Sequence, residues 1–360
     1  MEHQSVDSDK SIIKTGVISL GIILCVVALI LAFSDYDFFS TWLVFFFMCG
    51  VPSQLVITMQ METLYPDYIG RLRQPVKGIL MTLFTAALAA VVACILFFVV
   101  GQGYGPPSPI LITYMILTVI VTFWIIPVME SWPFTLITRH PVFLGVISLT
   151  FSYSLALLIF RIFFDFSTMA GSPVYVEEID PKGLFDASTA ISFFVTSNAM
   201  VLLLLLTRMT LIPGWLARSG KQPGLGLAAT LVVFLLGLAC WILFTQVIGM
   251  DKTMYMVRVP VCFIFGVFLV DPLMQHEAFG KLGQPLRGIV LALVAFSLAP
   301  FVFIAYSAAG PVLTGLDLSS GAPGYEVELW VANALLGITF PVIVVMAKYF
   351  EFWPLKRERG

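Results

Sequence analysis

Apolar residues fill this chain in ten long blocks, at about 16–33, 38–61, 76–100, 110–129, 142–165, 187–211, 224–248, 258–275, 286–308 and 329–350. Short polar or Gly/Pro-rich breaks separate them. A helix of about 20 apolar residues, rising about 1.5 Å per residue, is long enough to cross the hydrocarbon core of a bilayer. None of the blocks alternates apolar and polar positions as a barrel strand does. The eighth is the least regular, because it carries Asp271 and Pro272. The pattern predicts an all-α polytopic integral membrane protein with ten transmembrane helices.

The breaks after the even-numbered blocks share a motif. It reads Met61-Glu62-Thr63-Leu64-Tyr65-Pro66, then Arg73-Gln74-Pro75-Val76-Lys77-Gly78. It returns as Met129-Glu130-Ser131-Trp132-Pro133, then Arg139-His140-Pro141 and Gly145. Looser copies are Ile212-Pro213-Gly214-Trp215 with Lys221-Gln222-Pro223 and Gly226, and Asp271-Pro272 with Gly283-Gln284-Pro285-Leu286-Arg287-Gly288. The chain closes on half a copy, Glu351-Phe352-Trp353-Pro354-Leu355. A motif after every second block predicts five tandem helical hairpins, repeated in parallel rather than inverted as in many secondary transporters. Segments 1–15 and 351–360 are then tails on a single ten-helix domain, 16–350.

Each part of the motif has a structural reason. The residue before a proline avoids the α region, so Tyr-Pro or Trp-Pro ends a helix. Tyr65, Trp132 and Trp353 suit the membrane–water interface. Gln-Pro restarts a helix, since proline is favoured at the first helical position. Gly78, Gly145, Gly226 and Gly288 allow helices to approach closely. The acids are less expected, because Glu62, Glu130 and Glu351 fall at helix C-termini, where the dipole disfavours negative charge. Asp271 holds the matching place in the fourth copy, whereas the third has Thr210 with Arg208 just before it. Arg71 or Arg73 for Glu62, Arg139 for Glu130, and Lys356 or Arg357 for Glu351 are the nearby partners. Each acid is expected to staple its turn through them, so that Glu130→Gln lowers stability. The rival expectation is that the acids bind cations or protons. Pro52, Pro127, Pro260 and Pro341 lie inside blocks and predict kinks.

Charge sets orientation. Fifteen of the 19 Lys and Arg fall on the motif side or in the two tails, and basic residues collect in the cytoplasm. Both termini are expected to be cytoplasmic, in a cell (inner) membrane. Only 11% of residues are charged and mean hydropathy is +1.00, against about 25% charged in soluble domains. No basic stripe suggests nucleic acid. The expected partners are the lipid bilayer and other membrane subunits.

Catalytic chemistry finds little support. The five cysteines each sit alone in a block, without metal or disulfide spacing. His3, His140 and His276 lie outside the blocks and form no cluster, so neither haem nor a bound metal is expected. Walker A, GxGxxG and GxSxG are absent. No cofactor is identifiable. Polar residues within apolar blocks are costly and mark candidate paths or networks; the chief ones are Gln54, Asn198 and Asn333. The reading is a small-solute or ion transporter or channel, with a non-catalytic subunit of a larger membrane complex as the alternative. Convergence of Gln54, Asn198 and Asn333 on a central cavity would favour transport.

Overall fold

The computed structural model describes residues 2–64, 66–216 and 221–356, with side chains from residue 12 onward. Ten helices in it are long and apolar enough to cross a membrane. They are α1 (Glu2–Ala32), α2 (Tyr36–Gln60), α3 (Val76–Val99), α4 (Pro109–Val128) and α5 (Pro141–Phe163). Then follow α6 (Ala187–Leu206), α7 (Gly224–Val247), α8 (Lys252–Val270), α9 (Leu286–Thr314) and α10 (Glu326–Tyr349). The irregular eighth block is displaced toward the N-terminus. Asp251 caps α8 there, accepting hydrogen bonds from the Thr253 and Met254 amides at 2.9 and 3.0 Å. The turn begins at Asp271. Helix α9 runs past Pro311 and stops at Gly315, whose φ of 69° closes the helix in the left-handed conformation.

Four interior prolines lie in or beside locally widened turns. Pro127 and Pro260 sit within π turns at Trp124–Val128 and Val257–Val261. Pro341 lies between two more, Asn333–Thr339 and Val345–Tyr349, and Pro52 precedes one at Val56–Gln60. Proline alone does not set these turns, since Phe39–Leu43 and Leu243–Val247 are widened without one and α9 stays α-helical through Pro300 and Pro311. Helix α6, the even-numbered helix without a proline, is α-helical throughout.

Burial divides the ten helices into two tiers. Between 61 and 72% of the most apolar stretch of α2, α4, α6, α8 and α10 is buried, against 22–33% in α1, α3, α5, α7 and α9. The even helices pack in the order α2–α4–α6–α8–α10 and back to α2, a closed inner ring. The odd helices lie outside it. Helix α3 packs on α2 and α10, α5 on α4 and α2, α7 on α6 and α4, and α9 on α8 and α6. Helix α1 fills the remaining groove, against α10 and, through Gly16, against Leu273 and Met274 at the end of α8. Close packing thus joins each inner helix to the outer helix that follows it through a proline corner. Helices α3 and α4, joined by the loop on the opposite side, make little direct contact.

All five inner helices end alike, in two consecutive residues with positive φ: Glu62-Thr63, Glu130-Ser131, Arg208-Met209, Gln275-His276 and Glu351-Phe352. The second residue turns its amide back into the helix: Thr63 donates to the Ile57 carbonyl, Ser131 to Ile125 and Phe352 to Met346, at 2.9, 2.8 and 3.1 Å. These bonds satisfy carbonyls that a helix end would leave open. After the corner, glycine brings the outer helix onto a neighbouring inner one. A Cβ on Gly288 would lie 2.6 Å from the Leu206 carbonyl oxygen and the Thr207 Cα. Gly78 lies against Phe350, Gly145 against Met61 and Val56, and Gly226 against Met129. Gly288→Val should therefore lower stability by about 1–3 kcal/mol in detergent thermal unfolding. Gly171→Val, on an open loop with nothing nearby, should stay within about 0.5 kcal/mol of the parent.

Candidate functional site

The corner acids do not act alike. Glu351 pairs with Lys77 at 2.7 Å, across the junction of α10 and α3. Lys356 instead donates to the Gln275 side chain, and Arg357 lies outside the described residues. Asp271 receives Arg287 at 3.3 Å and His276 at 2.7 Å. Glu62 and Glu130 make no ion pair among the described residues, so the expected partners Arg71, Arg73 and Arg139 are not used. The local spacing suggested these partners, and both acids stand in the left-handed conformation instead of continuing the helix. Glu351 and Asp271 are directed at outer helices, not at the ring axis.

The corner glutamines do what the acids were expected to do. The Gln74 amide donates to the Tyr349 carbonyl at 2.7 Å, Gln222 to Val128 at 3.0 Å and Gln284 to Leu206 at 3.1 Å. Each carbonyl belongs to the end of a neighbouring inner helix. The same side chains accept from the amides of Gly78, Gly226 and Gly288, four residues on. One amide thus closes two helix ends at once. The recurrence of Gln before Pro was the signal for this role.

Inside the ring lies a cavity of about 40 Å³, lined from all five inner helices. Its wall includes Met48 and Val51 of α2, Ile120 and Phe123 of α4, Asn198 of α6, Phe268 of α8, and Phe340 of α10. Phe268 and Phe340 meet edge to face, with ring centroids 4.6 Å apart. Phe123 stands seven residues before the αL residue Glu130 and Phe268 seven before Gln275, whereas Asn198 stands ten before Arg208. The aromatic side chains of α4 and α8 therefore sit between Asn198 and the corner side. The wall carries no ionisable side chain.

Of the three amides proposed to converge, Asn198 alone lines this cavity. It is 5% exposed, and its Oδ1 has no hydrogen-bond partner. A buried polar atom left open costs about 1–3 kcal/mol. Gln54 is turned aside: its Nε2 donates to the Pro341 carbonyl at 3.4 Å between α2 and α10, and its Oε1 is unpaired. Asn333 lies seven residues outward of Phe340 on α10, in the π-turned stretch, away from the cavity wall. The three phenylalanines were not singled out by the sequence, because an axial aromatic and a lipid-facing one read alike.

Comparison with protein-family models, with curated proteins and with solved structures finds no match. The ten apolar helices define the class, a multi-pass integral membrane protein.

The two kinds of corner acid separate experimentally. The Lys77 side chain is only 11% exposed, so Glu351→Gln leaves it with its partner removed and should lower stability by about 1 kcal/mol. Glu130→Gln should change stability by less than about 0.5 kcal/mol. Glu130→Gly should raise it by about 0.5 kcal/mol, because glycine adopts positive φ freely. Thermal unfolding of the three purified variants reads all these changes.

Proposed function

We propose that the inner ring encloses a gated passage for a small uncharged solute. The observation that carries this reading is the axial cavity, to which all five inner helices contribute and into which one unpartnered amide projects. A dehydrated ion would meet no compensating charge on this wall, whereas a neutral molecule needs only the hydrogen bond that Asn198 offers. Phe123, Phe268 and Phe340 form the gate in the closed state described here. An apolar constriction excludes water until its rings move.

The wider reading follows the same lines. The chain consists of five copies of one helix–corner–helix unit, and the corner side is cytoplasmic in a cell (inner) membrane, as the basic residues suggest. The expected hairpin joined ascending and descending helices through the far-side loop. The packing favours the other pairing, each inner helix with its successor across the corner, α10 pairing with α1. Under either pairing Asp271 and Glu351 tie their corners to outer helices through Arg287 and Lys77, Glu62 and Glu130 add no ion pair among the described residues, and Gln54 and Asn333 serve helix packing. The outer helices expose large apolar side chains along their length, which suits lipid on all sides.

Reconstituted vesicles test the passage. Across a panel of small neutral solutes and ions, flux of at least one neutral solute should exceed that of protein-free vesicles. The Phe123→Ala/Phe268→Ala variant should raise it by on the order of tenfold. Asn198→Leu should lower it by on the order of fivefold, the worth of one hydrogen bond of about 1 kcal/mol. No flux above protein-free vesicles, even in the double alanine variant, would contradict the passage and favour a docking subunit of a larger assembly.

A further inference from the structure

A second cavity lies apart from the axis, on the corner side between α1, α8 and α9. It is a groove of about 1140 Å³. Ile12 and Ile13 of α1, Val270 of α8, and Val294 and Leu298 of α9 form its apolar wall. Leu298 is twelve residues into α9, so the wall reaches about 18 Å from the corner toward the bilayer centre. At its mouth stand Arg208 and the 276–284 turn, including Lys281.

The charges at that mouth are unevenly spent. Arg287 is held by Asp271 and by the Ala278 and His276 carbonyls, at 3.3, 2.9 and 2.9 Å. His276 bonds Asp271 through Nδ1 and meets the Lys348 amine at 3.2 Å through Nε2. Arg208 and Lys281 are exposed and make no ion pair among the described residues. Glu277 is the one acid on the groove without an ion pair there. Arg208 also departs from the pattern of its own motif. It occupies the αL position that carries Glu62, Glu130 and Glu351 in three other corners. The corner that faces the groove has thus exchanged an acid for a cation.

We propose that this groove binds an anionic phospholipid from the corner-side leaflet. One acyl chain lies along Val294 and Leu298, and the phosphate sits between Arg208 and Lys281. The apolar depth selects an amphiphile over a free anion. Two unspent cations against one carboxylate select a net negative headgroup over a zwitterionic one, with about 1 kcal/mol per basic residue near the membrane surface.

Native mass spectrometry of the delipidated full-length protein, titrated with phosphatidylglycerol or phosphatidylcholine, tests this. One phosphatidylglycerol should remain bound at activation energies that strip phosphatidylcholine. Arg208→Gln/Lys281→Gln should lower its occupancy by on the order of tenfold. Arg71→Gln/Arg139→Gln, which removes two cations from other corners, should leave it unchanged. Leu298→Trp keeps both cations and obstructs the deep end of the groove where the acyl chain lies, so it should also lower the lipid's occupancy, and it decides the matter if the double glutamine variant fails to fold. Equal retention of the two lipids by the parent, or undiminished phosphatidylglycerol on Leu298→Trp, would overturn the proposal.

Discussion

The exposed carbonyls at the ends of five buried helices set the terms for this structure. In a bilayer such groups have no water to turn to and must find partners in the protein. Two devices meet the demand together. A pair of αL residues folds the chain back so that an amide closes the helix from below, as Thr63, Ser131 and Phe352 do. A glutamine from another corner donates to the ends of three of these helices, Gln74 to α10, Gln222 to α4 and Gln284 to α6. The second device requires an outer helix to lie against a neighbouring inner helix, and the corner glycines make that approach possible. These bonds fix neighbours at three corners, setting α3 against the end of α10, α7 against α4 and α9 against α6.

Much of the fold was legible because it is written in local patterns. Blocks of apolar residues gave the ten helices, and Pro and Gly marked where each corner begins and ends. What stayed hidden was non-local. Lys77 and Glu351 stand 274 residues apart, and nothing in their spacing announces a pair, whereas Arg139 lies near Glu130 in sequence and is not used. The αL pair was equally silent, since Glu, Thr, Ser and Phe are poor markers of positive φ. Pairing across the corner instead of across the far-side loop also depends on contacts between helices. Of the candidate path residues, Asn198 lines the ring cavity, whereas Gln54 donates to a carbonyl on α10.

The axis and the periphery divide the remaining roles. At the axis, apolar and aromatic side chains from five helices leave room beside one open amide, an arrangement suited to a neutral molecule. At the periphery, α1, α8 and α9 leave a long apolar groove whose mouth is cationic. Widened turns occur in α4, α8 and α10, the helices that carry Phe123, Phe268 and Phe340.

The account depends most on closure of the inner ring between the beginning and the end of the chain. Lys77→Cys/Glu351→Cys, in a background with the five native cysteines replaced, places two thiols where a charged pair meets at 2.7 Å. A short bifunctional thiol reagent applied to the protein in membranes should join these positions within one polypeptide and give a compact species on denaturing gels. Absence of that species, or links formed only between separate chains, would contradict the closed ring.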